Sequence, residues 1–171
     1  MPNCNRTDML VLTFITILGL ASGAVYQYPR PLEWVPVTNG VHPPNSVHVG
    51  SKECFCEVQD PKGLIPGATN DGVCEYEVDG EVKSSSSYNV LVRPEGVHTG
   101  WKYSARQPPA GAVKCHEGSQ CYLGMSIYTE GLCDDLPGKI FADKKEMIMT
   151  KGNKVHTCAS KLYLVEKMIR V

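Results

Sequence analysis

The second half of the chain repeats the first at low fidelity, and this duplication limits the possible folds more than any other feature. Trp34, Pro43, Pro66-Gly67, Gly80 and Val90-Leu91-Val92 return in the same order as Trp101, Pro109, Pro137-Gly138, Gly152 and Tyr163-Leu164-Val165. The offset grows from 66 residues between Pro43 and Pro109 to 73 between Val90 and Tyr163, so the copies differ by short insertions. A period of about 70 residues is too long for a solenoid. It describes two homologous units that form a pseudo-symmetric pair.

Each unit reads as β structure. Long stretches of 3.6-residue periodicity are absent, and short runs rich in Val, Tyr, Ile and Cys alternate with clusters of Gly, Pro, Asn and Asp. Strands are expected near Val47–Val49, Cys54–Val58, Cys74–Val78, Glu81–Lys83 and Tyr88–Val92. In the second unit they fall near Ala112–Lys114, Cys121–Tyr128, Glu146–Met149, Lys154–His156 and Leu162–Val165. Asp79-Gly80 is a two-residue hairpin signal, and Gly152-Asn153 takes its place in the second copy. The two Pro-Gly pairs read as turns. The predicted fold is therefore all-β: two pseudo-symmetric antiparallel repeats, residues 25–98 and 99–171, packed as one compact unit and joined by the short RPEGVHTG segment from Arg93 to Gly100. Trp34 and Trp101, each opening its unit, are expected to cap the core.

Met9 to Ala24 form an apolar run of 16 residues that ends in small side chains, the layout of a secretory signal peptide spanning residues 1–24. The run is short for a membrane span and no second one follows, so a secreted, extracellular product without a membrane span is expected. Seven cysteines then remain: Cys54, Cys56, Cys74, Cys115, Cys121, Cys133 and Cys158. In an oxidising compartment these imply two or three disulfides. Cys54 and Cys56 share a strand face and cannot bridge each other, so Cys74 is the nearest partner for one of them. Cys115 and Cys121 flank a short loop, leaving Cys133 and Cys158 for a longer bridge. The odd cysteine is either buried and inert or links two chains as a homodimer. The Cys-x-Cys spacing of Cys54 and Cys56 is not that of a zinc knuckle, so no metal or other cofactor is expected.

Charge is near balance overall but not locally. Residues 31–99 carry ten acidic and four basic side chains, and residues 100–171 carry seven acidic and eleven basic. The opposition either draws the units together or reflects solvated faces. Neither half is basic enough to predict nucleic-acid binding. No nucleophile elbow, P-loop or metal-ligand cluster points to an enzyme.

The order Trp34, Pro43-Pro44-Asn45-Ser46-Val47, Leu64-Ile65-Pro66-Gly67-Ala68 and Tyr88-Asn89-Val90-Leu91-Val92 resembles the DM-nine repeat. So does its second copy, Trp101, Pro109-Ala110-Gly111-Ala112-Val113, Leu136-Pro137-Gly138-Lys139 and Tyr163-Leu164-Val165. The resemblance covers essentially the whole mature chain. It implies recognition of mannose-type glycans, with a role in innate immunity or as a secreted effector. In that family the lysine of Pro-Gly-Lys, an acidic residue shortly before it and an aspartate from the preceding loop hold sugar hydroxyls. Carried over, the second unit offers Lys139, Asp134 with Asp135 beside it, and Glu117. In the first unit Ala68 replaces the lysine and Gly63 the acid, leaving Asp60 and Lys62 near a degenerate site. A non-catalytic structural or protein-interaction module is the alternative expectation.

Overall fold

In the computed structural model, residues 31–37, 40–50, 53–127, 135–144 and 146–167 are described. The expected signal segment, Cys133 and Asp134 lie outside them. The chain is all-β, with no helix among the described residues, and forms two antiparallel sheets. The first comprises β1 (Glu33–Pro36), β2 (His48–Val49), β3 (Glu53–Asp60), β4 (Gly63–Asn70), β5 (Val73–Val78), β6 (Glu81–Ser85) and β7 (Asn89–Val92), in the order β1-β7-β3-β4-β5-β6 with β2 paired to β3. The second comprises β8 (His98–Tyr103), β9 (Cys121–Ser126), β10 (Pro137–Phe141), β11 (Met147–Lys151), β12 (Lys154–Cys158) and β13 (Lys161–Lys167), in the order β12-β11-β10-β9-β13-β8.

Matching hydrogen bonds make the two sheets structural copies. Val47 N–H donates to the Leu91 carbonyl at 2.8 Å, as Val113 N–H does to Leu164 at 2.9 Å. Ser46 N–H reaches Pro43 as Ala112 N–H reaches Pro109. Trp34 pairs with Leu91, and Trp101 with Leu164. Asp79-Gly80 and Gly152-Asn153 both have positive φ at the two central residues, the requirement of a type I′ hairpin turn, and Asp71-Gly72 builds a third.

The Pro-Gly pairs correct the sequence reading. They sit inside β4 and β10, not in turns. Proline lacks the ladder donor. Glycine is required beside it, because a Cβ on Gly67 would run into the Glu75 carbonyl and one on Gly138 would lie 2.5 Å from the Ile148 carbonyl. The first sheet folds over at this point. Although β4 lies between β3 and β5, the Cα atoms of Cys56 and Cys74 are only 5.9 Å apart and their sulfurs are bonded. The segment expected as a strand at Ala112–Lys114 makes only isolated bridges, to Val165 and Tyr122.

A second disulfide joins Cys115 to Cys121, and Cys158 is also disulfide-bonded. Cys54 is free and fully buried, so of the two fates open to the odd cysteine it takes the buried one and is out of reach of a second chain.

Hydrophobic burial falls into three clusters. The first unit packs Val58, Tyr76, Val78, Tyr88 and Val90 with its cysteines, and the second packs Leu136, Ile140, Met147, Met149, Tyr163 and Val165. Between them a shared cluster draws Val47, Val49, Phe55 and Leu91 from one unit and Leu123 and Leu164 from the other, flanked by partly buried Trp34 and Trp101. Alternate residues of β3 therefore serve two cores: Cys54, Cys56 and Val58 face the first, and Phe55 faces the shared one.

Candidate functional site

The two copies of the Pro-Gly strand meet across the pseudo-two-fold. Pro66, Gly67 and Ala68 of β4, with Tyr76 and Glu77 of β5, line a cleft whose other wall is Pro137, Gly138 and Lys139 of β10 and Ile148, Met149 and Thr150 of β11. Its volume is about 10 Å³, the room of a single water.

Lys139 is occupied there. Its ammonium donates to the Glu77 carbonyl at 2.9 Å and lies 2.5 Å from Glu77 Oε2, with the two side chains only 10% and 14% exposed. Gly80 N–H donates to the other carboxylate oxygen at 2.7 Å. Burial alone would raise the Glu77 carboxyl. The Lys139 and Gly80 hydrogen bonds outweigh it and hold the group below its ordinary value. Thr150 adds a second link between the units, its hydroxyl donating to the Glu75 carbonyl at 3.3 Å. The charge opposition between the halves thus supplies one buried pair across the join; the other two ion pairs among the described residues, Lys62–Asp79 and Lys83–Asp60, lie within the first unit.

By repeat equivalence Lys139 corresponds to Ala68, and Glu77 to Thr150. Both counterparts are buried and line the same cleft. The pseudo-symmetric positions thus hold a charged pair on one side and an uncharged pair on the other.

The remaining candidates are dispersed. Asp135 is exposed, with φ 42°, and its carbonyl approaches Gly50 in the turn after β2 of the first unit. Asp60 and Lys62 belong to the β3–β4 turn. The Lys62 amide donates to Asp60 Oδ1 and, with Lys83 nearby, holds that carboxyl low, while the Lys62 side chain pairs with Asp79. Ala68 lies five residues beyond Gly63 on β4, about 16 Å of extended strand from that turn. Glu117 lines a different and larger cleft.

That second cleft encloses about 540 Å³ between the units. Leu32, Trp34, Glu57 and Leu64 come from the first unit, and Lys114, His116, Glu117 and Glu166 from the second. Leu32 N–H donates to Glu166 Oε1 across the join at 3.2 Å. Glu57 is buried and accepts from Asn89 Nδ2 at 3.0 Å; burial pushes its carboxyl above the ordinary value despite that bond and nearby His116. Sequence reasoning singled out Glu117 here but not Glu57, Glu166 or Lys114, which only the packing of the two units brings beside it.

A third cluster went unnoticed as well. His42, His48 and Cys54 stand at six-residue intervals, which was the available signal. Cys54 Sγ lies 3.3 Å from His48 Nδ1 and 3.6 Å from His42 Nδ1. Burial pushes the Cys54 thiol up to about 11, against a hydrogen bond from Thr69, and Glu53 adds to the rise. Burial and the neighbouring His48 hold His42 low.

The chain matches no family model and no curated protein. The likeness to DM-nine repeats rests on the order of its motifs.

Proposed function

We propose that this chain is a secreted, non-catalytic carbohydrate-recognition protein of the DM-nine kind that binds a neutral, mannose-type sugar in the larger cleft between its two units. The carrying observation is the composition of that cleft. One aromatic surface, Trp34, and three carboxylates, Glu57, Glu117 and Glu166, surround a hollow of about 540 Å³, with Lys114 and His116 on its wall. This is the size of a small-ligand site. Carboxylates accept from sugar hydroxyls, a lysine donates to them, and an indole face covers the apolar side of a hexose. The Lys139 cleft supports this reading less, since its ammonium already has two partners and its space is that of one water. Secretion accords with the disulfides, and an innate-immune or effector role would follow from glycan binding.

A glycan array of the mature protein tests the proposal. Wild type should bind mannose-type glycans, and Trp34→Ala and Glu117→Gln should each weaken binding about tenfold or more, the scale of one lost charge-assisted hydrogen bond or ring contact. Binding that survives both changes but is lost in Lys139→Ala would move the site to the small cleft. A folded protein that binds no glycan would leave the interaction-module reading in place.

A further inference from the structure

Building on the sugar reading of the larger cleft, we propose that the ligand it takes best is an amino sugar, whose primary ammonium is held by Glu57 and whose ring lies against Trp34.

Glu57 is the one buried carboxylate in that cleft. It is only 4% exposed, whereas Glu117, Glu166, Lys114 and His116 are exposed on the opposite wall. Its Oε1 accepts from Asn89 Nδ2 at 3.0 Å, and its Oε2 has no hydrogen-bond partner among the described residues. No side-chain oxygen sealed inside the described residues is without a partner, so Oε2 opens onto the cleft that Glu57 lines. Burying a carboxylate is costly unless a cation or further donors meet it, and the protein supplies one amide.

The fold does not require a charge at this position. Glu57 of β3 stands opposite Asn89 of β7, and at the equivalent register of the second unit Met125 of β9 stands opposite Leu162 of β13. An apolar pair therefore satisfies the same place in the sheet. Trp34 is the other fixed contact. It pairs with Leu91, two residues along β7 from Asn89, so the Cα atoms of Trp34 and Glu57 are separated by two strand spacings and two residues of rise, about 12 Å. Both side chains line the cleft, and a ligand that meets them together presents a ring face to one and a polar substituent to the other.

Charge decides which substituent. Three carboxylates line the cleft against one lysine and one histidine, and none of the three makes an ion pair among the described residues. A hydroxyl meeting Glu57 forms an ordinary hydrogen bond, whereas an ammonium forms a stronger, charge-assisted one and neutralises the buried charge. An indole face attracts a cation as well as an apolar ring. Burial, the largest influence on the Glu57 carboxyl, holds it above its ordinary value despite Asn89 and His116, and a bound ammonium opposes that cause directly.

Isothermal titration calorimetry of the mature chain at about pH 6.5, where an amine of the α-amino type is protonated, provides the test. Mannosamine should bind about tenfold or more tighter than methyl mannoside. N-acetylmannosamine keeps the ring, removes the charge and should lose that gain. Cyclohexylamine keeps the charge, removes the hydroxyls and should bind about tenfold or more weakly than mannosamine. Glu57→Gln should bring mannosamine to within about twofold of the mannoside, and Glu57→Met/Asn89→Leu, the pair the second unit already carries, gives the same readout if the first variant does not fold. If the mannoside binds and mannosamine binds no tighter, the amino-sugar inference fails and the sugar reading stands; if no sugar binds, both fail. A gain that survives in the Glu57 variants or in N-acetylmannosamine, or cyclohexylamine as tight as mannosamine, likewise overturns the inference.

Discussion

Replacing Lys139 by alanine should destabilise the protein, and replacing Glu77 by threonine in the same chain should restore it. At 2.5 Å the pair has a gross attraction of about 7 kcal/mol at an effective dielectric constant of about 20, most of which offsets the desolvation of two nearly buried charges. Breaking such a pair from one side typically costs about 3–5 kcal/mol, because an unpaired charge stays behind. Glu77 retains the Gly80 amide at 2.7 Å, which puts Lys139→Ala near the lower end, about 3 kcal/mol. For a domain of this size that is a fall in Tm of about 10 °C. The double variant Lys139→Ala/Glu77→Thr copies the Ala68 and Thr150 combination that the other half of the cleft already buries. It removes both charges and should come within about 1 kcal/mol of wild type.

Calorimetry as a function of pH adds an independent sign. The Glu77 carboxyl is held below its ordinary value of 4.5, so its contribution is complete above that pH and is lost as pH falls through the folded-state value. The gap between wild type and Lys139→Ala should therefore be widest at neutral pH and close in acid. A single variant as stable as wild type, or a double variant no better than the single, would refute the buried-pair reasoning. The first result would also return Lys139 to the sugar-binding candidates, since its ammonium would then be available to a ligand. Any loss of glycan binding in Lys139→Ala has to be read against this stability change.

Three further outcomes follow from the packing. Gly138→Ala should cost about 2–3 kcal/mol in urea unfolding, because the new Cβ meets the Ile148 carbonyl and Met147 Cε, whereas Gly96→Ala, with nothing within 4 Å, should cost only the roughly 1 kcal/mol of its left-handed φ. Glu57→Gln should raise Tm at neutral pH: the folded-state carboxyl sits above its ordinary value, so wild type loses stability as pH rises through it, and the advantage of the variant should vanish well below pH 4.5. Removing the Cys56–Cys74 bridge should cost about 3 kcal/mol in thermal unfolding, and more than removing Cys115–Cys121, because it closes 18 residues against 6.

Local signals carried the fold a long way and failed where two units had to be placed against each other. Asp79-Gly80 and Gly152-Asn153 announced their hairpins because positive φ at two adjacent positions is a local demand. Cys115–Cys121 was legible from its loop length, and strand alternation sent one of Cys54 and Cys56 to Cys74, but only the fold selects Cys56. The Pro-Gly pairs misled for the same local reason: both residues favour turns in isolation, and only the close approach of Glu75 and Ile148 shows why a bent strand needs them. The candidate site suffered most. Lys139 was expected as a ligand because the Pro-Gly-Lys resemblance implied it, with Asp134 and Asp135 as its acids, but its neighbour in space is Glu77, 62 residues earlier, on a strand of the other unit.

That pairing changes what the divergence of the two copies means. Read separately, Ala68 looks like the loss of a functional lysine. Seen across the pseudo-two-fold, Ala68 and Thr150 together are an uncharged solution to the same packing problem that Lys139 and Glu77 solve with charge. A single lysine could not have been lost or gained at low cost on its own, since the uncompensated partner would stay buried. The cleft at the pseudo-two-fold is therefore filled by the packing of the units, and the larger cleft, with Glu57 and Glu117 on its wall, is where a ligand test belongs.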